Sequence, residues 1–298
     1  MKNLIEKISW HSFSLFEKLG VHVLPVHYYS PIPDTRALKG KMPLFEKEDP
    51  MHGVDMNEDY QIHLLKNIVY PFEKEYMREG GNNFGVDETR MPSFAPINAL
   101  SLFAFIRHFK PARMIEVGSG MSTQISAAAL ALNKREGSQA VFTAIEPYPS
   151  EKVRKGFDGL TALLIEKVED VPEDLFKKLE SNDILFIDSS HTVKIFGDVN
   201  YLFLTILPQL KPGVIIHVHD IFFPYNYPPH HFFTQNIKQI WQEQYLLQAF
   251  LAFNNEFEIT FCSSFLHARR KDALKTLFPW YHENRIPSSI WIRRKTKV

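Results

Sequence analysis

From Arg113 onward the chain alternates short apolar runs with stretches of helical spacing. The runs are Arg113–Val117, Ala140–Ile145, Ala162–Ile165, Ile184–Ile187 and Val214–Val218. Thr123–Lys134, Glu173–Glu180 and Asp198–Leu210 lie between them and read as helices. Strands separated in this way cannot pair through tight hairpins. They cross over through helices, which gives a parallel sheet covered on both faces. A further helix is predicted upstream, where Phe94, Ile97, Leu100, Phe103 and Ile106 recur every three residues, and a long one at Ile237–Phe253. Two last runs, Phe257–Ser263 and Ser288–Arg293, leave little room for another parallel crossover and predict a closing antiparallel pair. The fold class is therefore α/β, a doubly wound sheet, mostly parallel, with a terminal antiparallel strand pair.

Residues 1–91 follow a different pattern and are expected to form a helical and extended cap region, separate from a domain at 92–298. Ile5, Ile8, Phe13, Phe16 and Leu19 make a helical stripe, expected to dock on the protein's own surface. His27–Asp34 carries two prolines and reads as extended, Met42–Gly53 is polar, and Gly80–Asn83 marks a turn. With 45% hydrophobic and 23% charged residues, the chain can bury a sizeable core. Lys+Arg and Asp+Glu both number 34, so bulk charge favours neither a nucleic acid nor an anionic membrane as partner. Cys262 is the single cysteine, which rules out an intramolecular disulfide and fits a reducing compartment. No apolar run approaches the roughly 20 residues of a membrane helix. Lys2, Glu6 and Lys7 interrupt the N-terminal pattern and argue against a signal peptide. The expectation is a soluble, cytoplasmic protein; a homo-oligomer is compatible with it.

Three motifs carry chemistry. In Met114–Thr123 an apolar strand runs into Gly118-Ser119-Gly120 and then a helix start. Such a turn lets a ligand approach the backbone and offers free N–H groups at the helix N-terminus. A dinucleotide fingerprint would place glycine at Thr123, and a P-loop would need a lysine after the glycines. Next, Glu146 ends the second strand, where a carboxylate can accept bonds from both hydroxyls of a ribose. Finally, Asp188-Ser189-Ser190-His191 and His217-Val218-His219-Asp220 end the fourth and fifth strands. Ligands of open α/β sheets sit beyond the carboxyl ends of the strands, so Asp188, His191, His219 and Asp220 should gather at one rim.

Taken together, Ile115–Thr123, Glu146, Asp188-x-x-His191 with Asp198, and Gly213–Asp220 resemble class I S-adenosylmethionine-dependent methyltransferases. More narrowly, the last two are similar to a subgroup related to macrocin-type O-methyltransferases. The resemblance covers about residues 92–298 and implies a Rossmann-like sheet. It also implies roles. Glu116 would meet the cofactor's amino group, and Gly118, Ser119, Gly120 and Ser122 would hold its methionine part. Glu146 would bind the ribose, Val168 and Glu169 would flank the adenine, and Asp188 would complete the cofactor site. Ser122 stands where many members have a third glycine, but serine can cap the helix and bond a carboxylate.

Methyl transfer from a sulfonium is an in-line displacement, and a hydroxyl acceptor must lose its proton. Imidazole titrates near neutrality, which suits His191 and His219, with Asp220, to that catalytic step. Magnesium held by Asp188, His219 and Asp220 is the alternative way to acidify the acceptor, although His219 replaces an expected oxygen ligand. The aromatic loop Ile221–Phe233 reads as a substrate wall or as an anchor for the following helix. The favoured substrate is a small molecule with a sugar or secondary-metabolite hydroxyl. A hydroxylase-like relative on the same fold and a non-catalytic cofactor-binding module remain alternatives.

Overall fold

The computed structural model describes residues 2–81, 94–233 and 239–296. The expected boundary between residues 91 and 92 lies outside them. Two compact units emerge. One combines Met1–Lys47 with Tyr227–Ile240, and the other combines Glu48–Asn226 with Trp241–Val298.

The larger unit is built on a seven-stranded sheet of order β3-β2-β1-β4-β5-β7-β6. Its strands are β1 (Arg113–Val117), β2 (Val141–Ile145), β3 (Ala162–Leu164), β4 (Ile184–Ile187), β5 (Ile215–His219), β6 (Phe257–Cys262) and β7 (Ser289–Arg294). The first five pair in parallel, and β7 lies antiparallel between β5 and β6. This is the Rossmann-like architecture expected from the alternation. The strand order reverses between β1 and β4, the switch point at which such sheets open a crevice.

Side chains of alternate residues feed two separate cores. Ile115, Val117, Leu185, Ile187, Ile216 and Val218 pack on one face. Met114, Phe142, Ile184, Phe186, Phe261 and Trp291 pack on the other, under the helices Pro96–Phe109 and Met121–Arg135. Both faces are apolar because β4 and β5 are buried along their whole length. Each fully buried Phe or Leu contributes roughly 1.5–3 kcal/mol. Residues 48–81 belong to this unit: Arg107 on the helix Pro96–Phe109 pairs with Glu75, and Gln61 accepts the backbone N–H of Cys262.

Three predicted elements differ in detail. Glu173–Lys178 is a 3-10 helix, tightened directly after Pro172. Asp198–Asn200 continues through a π-helical turn, Tyr201–Ile206, into Leu207–Gln209. The long helix predicted at Ile237–Phe253 is confined to Glu243–Leu251. Residues 237 and 238 lie outside the described residues, and residues 239–242 are not helical. Trp241 and Gln242 instead meet the loop after β4, where Gln242 N–H donates to the carbonyl of His191 at 2.9 Å and Trp241 packs on the His191 ring.

In the smaller unit the helix Lys2–Lys18 forms as expected, but Ile8 and Leu15 are exposed, and Phe13 and Phe16 are half-buried. Asp34 caps the helix Thr35–Lys39 by accepting the N–H groups of Arg36 and Ala37. Phe45 packs on Phe232 and Phe233. Among the described residues, no helix is long and apolar enough to cross a membrane.

Candidate active site

A cleft of 590 Å³ opens over the C-terminal tips of β1, β2 and β4. Val117, Gly118, Glu146, Val168, Glu169 and Asp188 line it, together with Ser189, Ser190 and the loop 194–198. The glycine turn, the ribose-type carboxylate and the Asp188 tip thus share one cavity, of a size usual for small-molecule sites.

Gly118 has φ +90, and a Cβ there would overlap the carbonyl oxygen of Asp188. The turn from β1 to the next helix therefore passes hard against the tip of β4, which only glycine allows. At Gly120 the backbone is extended and a Cβ would meet no protein atom. Gly120 N–H donates to Thr123 Oγ1 at 2.9 Å, so Thr123 stabilises the helix start in place of a third glycine. Glu146 accepts the N–H groups of Ser119 at 3.1 Å and Tyr148 at 2.8 Å, which fixes its carboxylate at the cleft wall. Val168 and Glu169 sit in a 3-10 turn after β3.

Glu116 and Ser122 lie deeper. Glu116 is fully buried, and Ser122 Oγ donates to its Oε1. Its other oxygen, Oε2, is buried with no hydrogen-bond partner among the described residues, and so are the hydroxyls of Ser119 and Ser189. Burial pushes the Glu116 carboxyl up to about 8, against the opposing bonds from Ser122 and Thr123. Orphaned buried acceptors require a partner, and an ammonium group of a bound ligand would satisfy Oε2. The same shift predicts a pH effect. The unfolded chain ionises this group near 4.5 and the folded chain only near 8, so its stabilising share is complete below 4.5 and declines up to about 8. Glu116→Gln should gain stability relative to wild type across that window, on the order of 4 kcal/mol by its upper end. Thermal melts of the ligand-free proteins at a series of pH values would show it.

Next to Asp188, His191 is buried with its ring held on both sides. Its Nδ1 lies 2.7 Å from Glu243 Oε2, and its Nε2 lies 3.2 Å from Asp188 Oδ1 and 3.5 Å from Asp220 Oδ2. Burial opposes its charge, but the bonds to Asp188 and Glu243 outweigh that and raise its proton affinity well above that of an ordinary histidine. Asp188 shows the converse: burial raises its carboxyl, but the imidazoles of His219 and His191 hold it below the usual carboxylate range. Asp220 Oδ1 also accepts the Ser288 hydroxyl at 3.0 Å. Asp198 accepts the N–H and Oγ of Ser190 and so shapes the loop after β4.

His219 stands apart from that cluster. Its ring stacks on Phe94 at 4.4 Å, and its Nε2 is 3.7 Å from Asp220 Oδ1. Among the described residues, Asp188, His191 and Asp220 bring three donor atoms within 4.8 Å of one another. Magnesium prefers an octahedral set of oxygens. Here one of three donors is the imidazole nitrogen that bridges the two carboxylates, so the set does not fit magnesium.

Glu243 is the site residue that the sequence did not disclose. It is fully buried at the start of the helix Glu243–Leu251, inside the segment Trp241-Gln-Glu-Gln244. The one available signal was a run of polar residues ahead of an apolar helix.

Residues 115–221 match a family model described as a methyltransferase domain. An uncharacterized protein of Archaeoglobus fulgidus is 33% identical over 186 residues, 57% of this chain and 80% of the relative. Among solved structures, the O-methyltransferase TomG of Streptomyces achromogenes, in complex with SAM, has a TM-score of 0.43 at 11% identity. The match covers 80% of this chain and 96% of TomG. An O-methyltransferase of Bacillus cereus, in complex with SAH, has a TM-score of 0.41 at 12% identity over 79% of this chain and 96% of its own. These two likenesses are distant, and the chemistry rests on this chain's own residues. The chain belongs to one family with the archaeal protein, and its residues 115–221 match a methyltransferase domain.

Proposed function

We propose that this enzyme moves the methyl group of S-adenosylmethionine to a hydroxyl oxygen of a small molecule, such as a sugar or a secondary metabolite. The observation that carries this reading is the single cleft shared by Gly118, Glu146 and Asp188, with His191 in contact with Asp188 and Asp220 in contact with His191. In this reading Glu146 accepts both ribose hydroxyls, since each carboxylate oxygen keeps a second lone pair beside its backbone bond. Glu116 Oε2 accepts from the amino group, and Gly118–Ser122 surround the methionine part. Val168 and Glu169 border the adenine. His191 takes the acceptor's proton, Asp220 orients the acceptor, and His219 supports Asp220 from behind. The cofactor supplies an electrophilic methyl on a positively charged sulfur.

The pattern Asp188-x-x-His191, Asp198 and His219-Asp220 supports a reading within the subgroup resembling macrocin-type O-methyltransferases. The catalytic domain then runs over residues 92–298 and draws residues 48–81 into its compact unit, which leaves the earlier part of residues 1–91 as an accessory region.

The test is calorimetric titration with S-adenosylmethionine, its demethylated product and NAD. The first two should bind and NAD should not. Glu146→Ala should weaken cofactor binding roughly 100-fold, the loss of two charge-assisted hydrogen bonds. Equal affinity in the variant would sink the cofactor site as drawn. A methyl-transfer assay over a panel of sugars and phenols then tests the acceptor class.

A further inference from the structure

Half of the large apolar side chains that stand exposed among the described residues fall between residues 8 and 44, in the smaller unit. On the helix Lys2–Lys18 they follow a pattern. Ile8 and Leu15 lie seven residues apart, and Leu19 follows four later in the closing turn, its N–H donating to the Phe16 carbonyl at 3.0 Å. Helical spacing sets the three on one stripe, where they are 57%, 62% and 70% exposed. Ser12 falls on the same stripe, and the helix itself satisfies its hydroxyl, which donates to the Ile8 carbonyl at 2.7 Å.

The two borders of the stripe differ. Lys7, His11 and Lys18, spaced by four and seven, run along one side, all exposed. Along the other, Phe16 is half-buried and Ser9 is buried, so that border turns inward. Glu17 lies on the far side of the helix, 3.3 Å from His22. Beyond the helix, Tyr28 and Tyr29 are 93% and 86% exposed, on a turn closed by the Ser30 N–H and the His27 carbonyl at 3.0 Å. Their rings meet edge to face at 5.3 Å. The zero charge balance of the whole chain conceals a local excess, for residues 1–47 hold seven Lys and Arg against four Asp and Glu.

We propose that this face docks on an anionic lipid bilayer, with the helix Lys2–Lys18 lying in the plane of the headgroups. Ile8, Leu15 and Leu19 enter the acyl boundary, and Lys7 and Lys18 meet the headgroup anions. The tyrosine rings, apolar with one wet end, sit at headgroup level. Charge decides against a second copy of the chain. Antiparallel pairing along the stripe would set the basic border against itself, and parallel pairing would set it against Ser9 and Phe16, which carry no charge. None of the cleft residues takes part, so the proposal stands independently of the reaction.

Co-sedimentation of the full chain with vesicles tests it, using phosphatidylserine mixed with phosphatidylcholine and phosphatidylcholine alone. The chain should partition onto the mixed vesicles at least ~10-fold more strongly than onto the neutral ones, and added salt should release it. Leu15→Glu with Leu19→Glu should cut that partitioning ~10-fold or more, and Lys7→Gln with Lys18→Gln by about 10-fold. These side chains are exposed, so both variants should melt, and bind S-adenosylmethionine, as wild type does. Failure of wild type to join the mixed vesicles at low salt would overturn the proposal, as would equal partitioning onto the neutral ones or unchanged partitioning in both variants. Sedimentation equilibrium adds a further check. A dimer that Leu15→Glu with Leu19→Glu dissolves would give the face to a second copy and would overturn the proposal too.

Discussion

Gly118→Ala should unfold the site and abolish cofactor binding together. The new Cβ would overlap the Asp188 carbonyl, and the backbone at φ +90 disfavours any L side chain. No flexible side chain can yield, because the obstacle is the backbone of β4's tip. Relief requires β1 and β4 to separate where Asp188 N–H bonds to the Val117 carbonyl at 2.9 Å. Strain and lost packing in such a place cost about 3 kcal/mol or more. Affinity should fall beyond ~100-fold, the equivalent of that energy. Gly120→Ala provides the contrast. Its backbone is extended and a Cβ there meets no protein atom, so the variant should melt near wild type and still lose affinity if the ligand lies against that backbone. Thermal melts paired with calorimetry separate the two cases. A Gly118→Ala protein with wild-type melting would contradict the close approach of the two strand tips.

His191→Gln should lower kcat by roughly 10²–10⁴, the usual contribution of a positioned general base. Affinity for the cofactor should change only a few-fold, because the cleft is lined by Asp188 and Glu146 rather than by the imidazole. Wild type should also show an acid limb. His191 binds its proton more tightly than an ordinary histidine, so in the free enzyme the base form is gained as pH climbs through a half-point above 6.5. The ratio kcat/KM for the cofactor, which reports the free enzyme, should rise across that interval. In His191→Gln the limb should vanish. Initial rates with a responsive acceptor over a pH series measure both effects, and an unaltered limb in the variant would assign it to another group.

Most of the sheet was legible because its physics is local. β1 and β4 match the predicted runs residue for residue, and the other strands shift by one residue. Buried parallel strands read as continuous apolar runs bounded by turns. Gly118, Glu146 and Asp188 were legible for the same reason: a parallel sheet brings every strand's C-terminal end to one edge, so sequence position already implies proximity. His191 was visible but its surroundings were not. Its environment depends on Glu243, 52 residues along the chain, and no periodicity predicts that a helix will begin there. The residues meant to start a longer helix, Trp241 and Gln242, turn instead toward the His191 loop. His219 shows the opposite limit. Its position at the end of β5 is as expected, but its ring stacks on Phe94, which lies just ahead of the helix Pro96–Phe109.

The position of β7 bears on how the chain is made. β6 is synthesised before β7, yet its one neighbour in the sheet is β7, which lies between it and β5. During synthesis Phe257–Cys262 therefore has no strand to bond with, while the five parallel strands before it can already assemble. Its apolar residues, Ile259 and Phe261 among them, must wait until Ser289–Arg294 emerges. That interval is the stage at which a nascent chain of this design is most open to sticking to its neighbours, and at which a holding chaperone would protect it best.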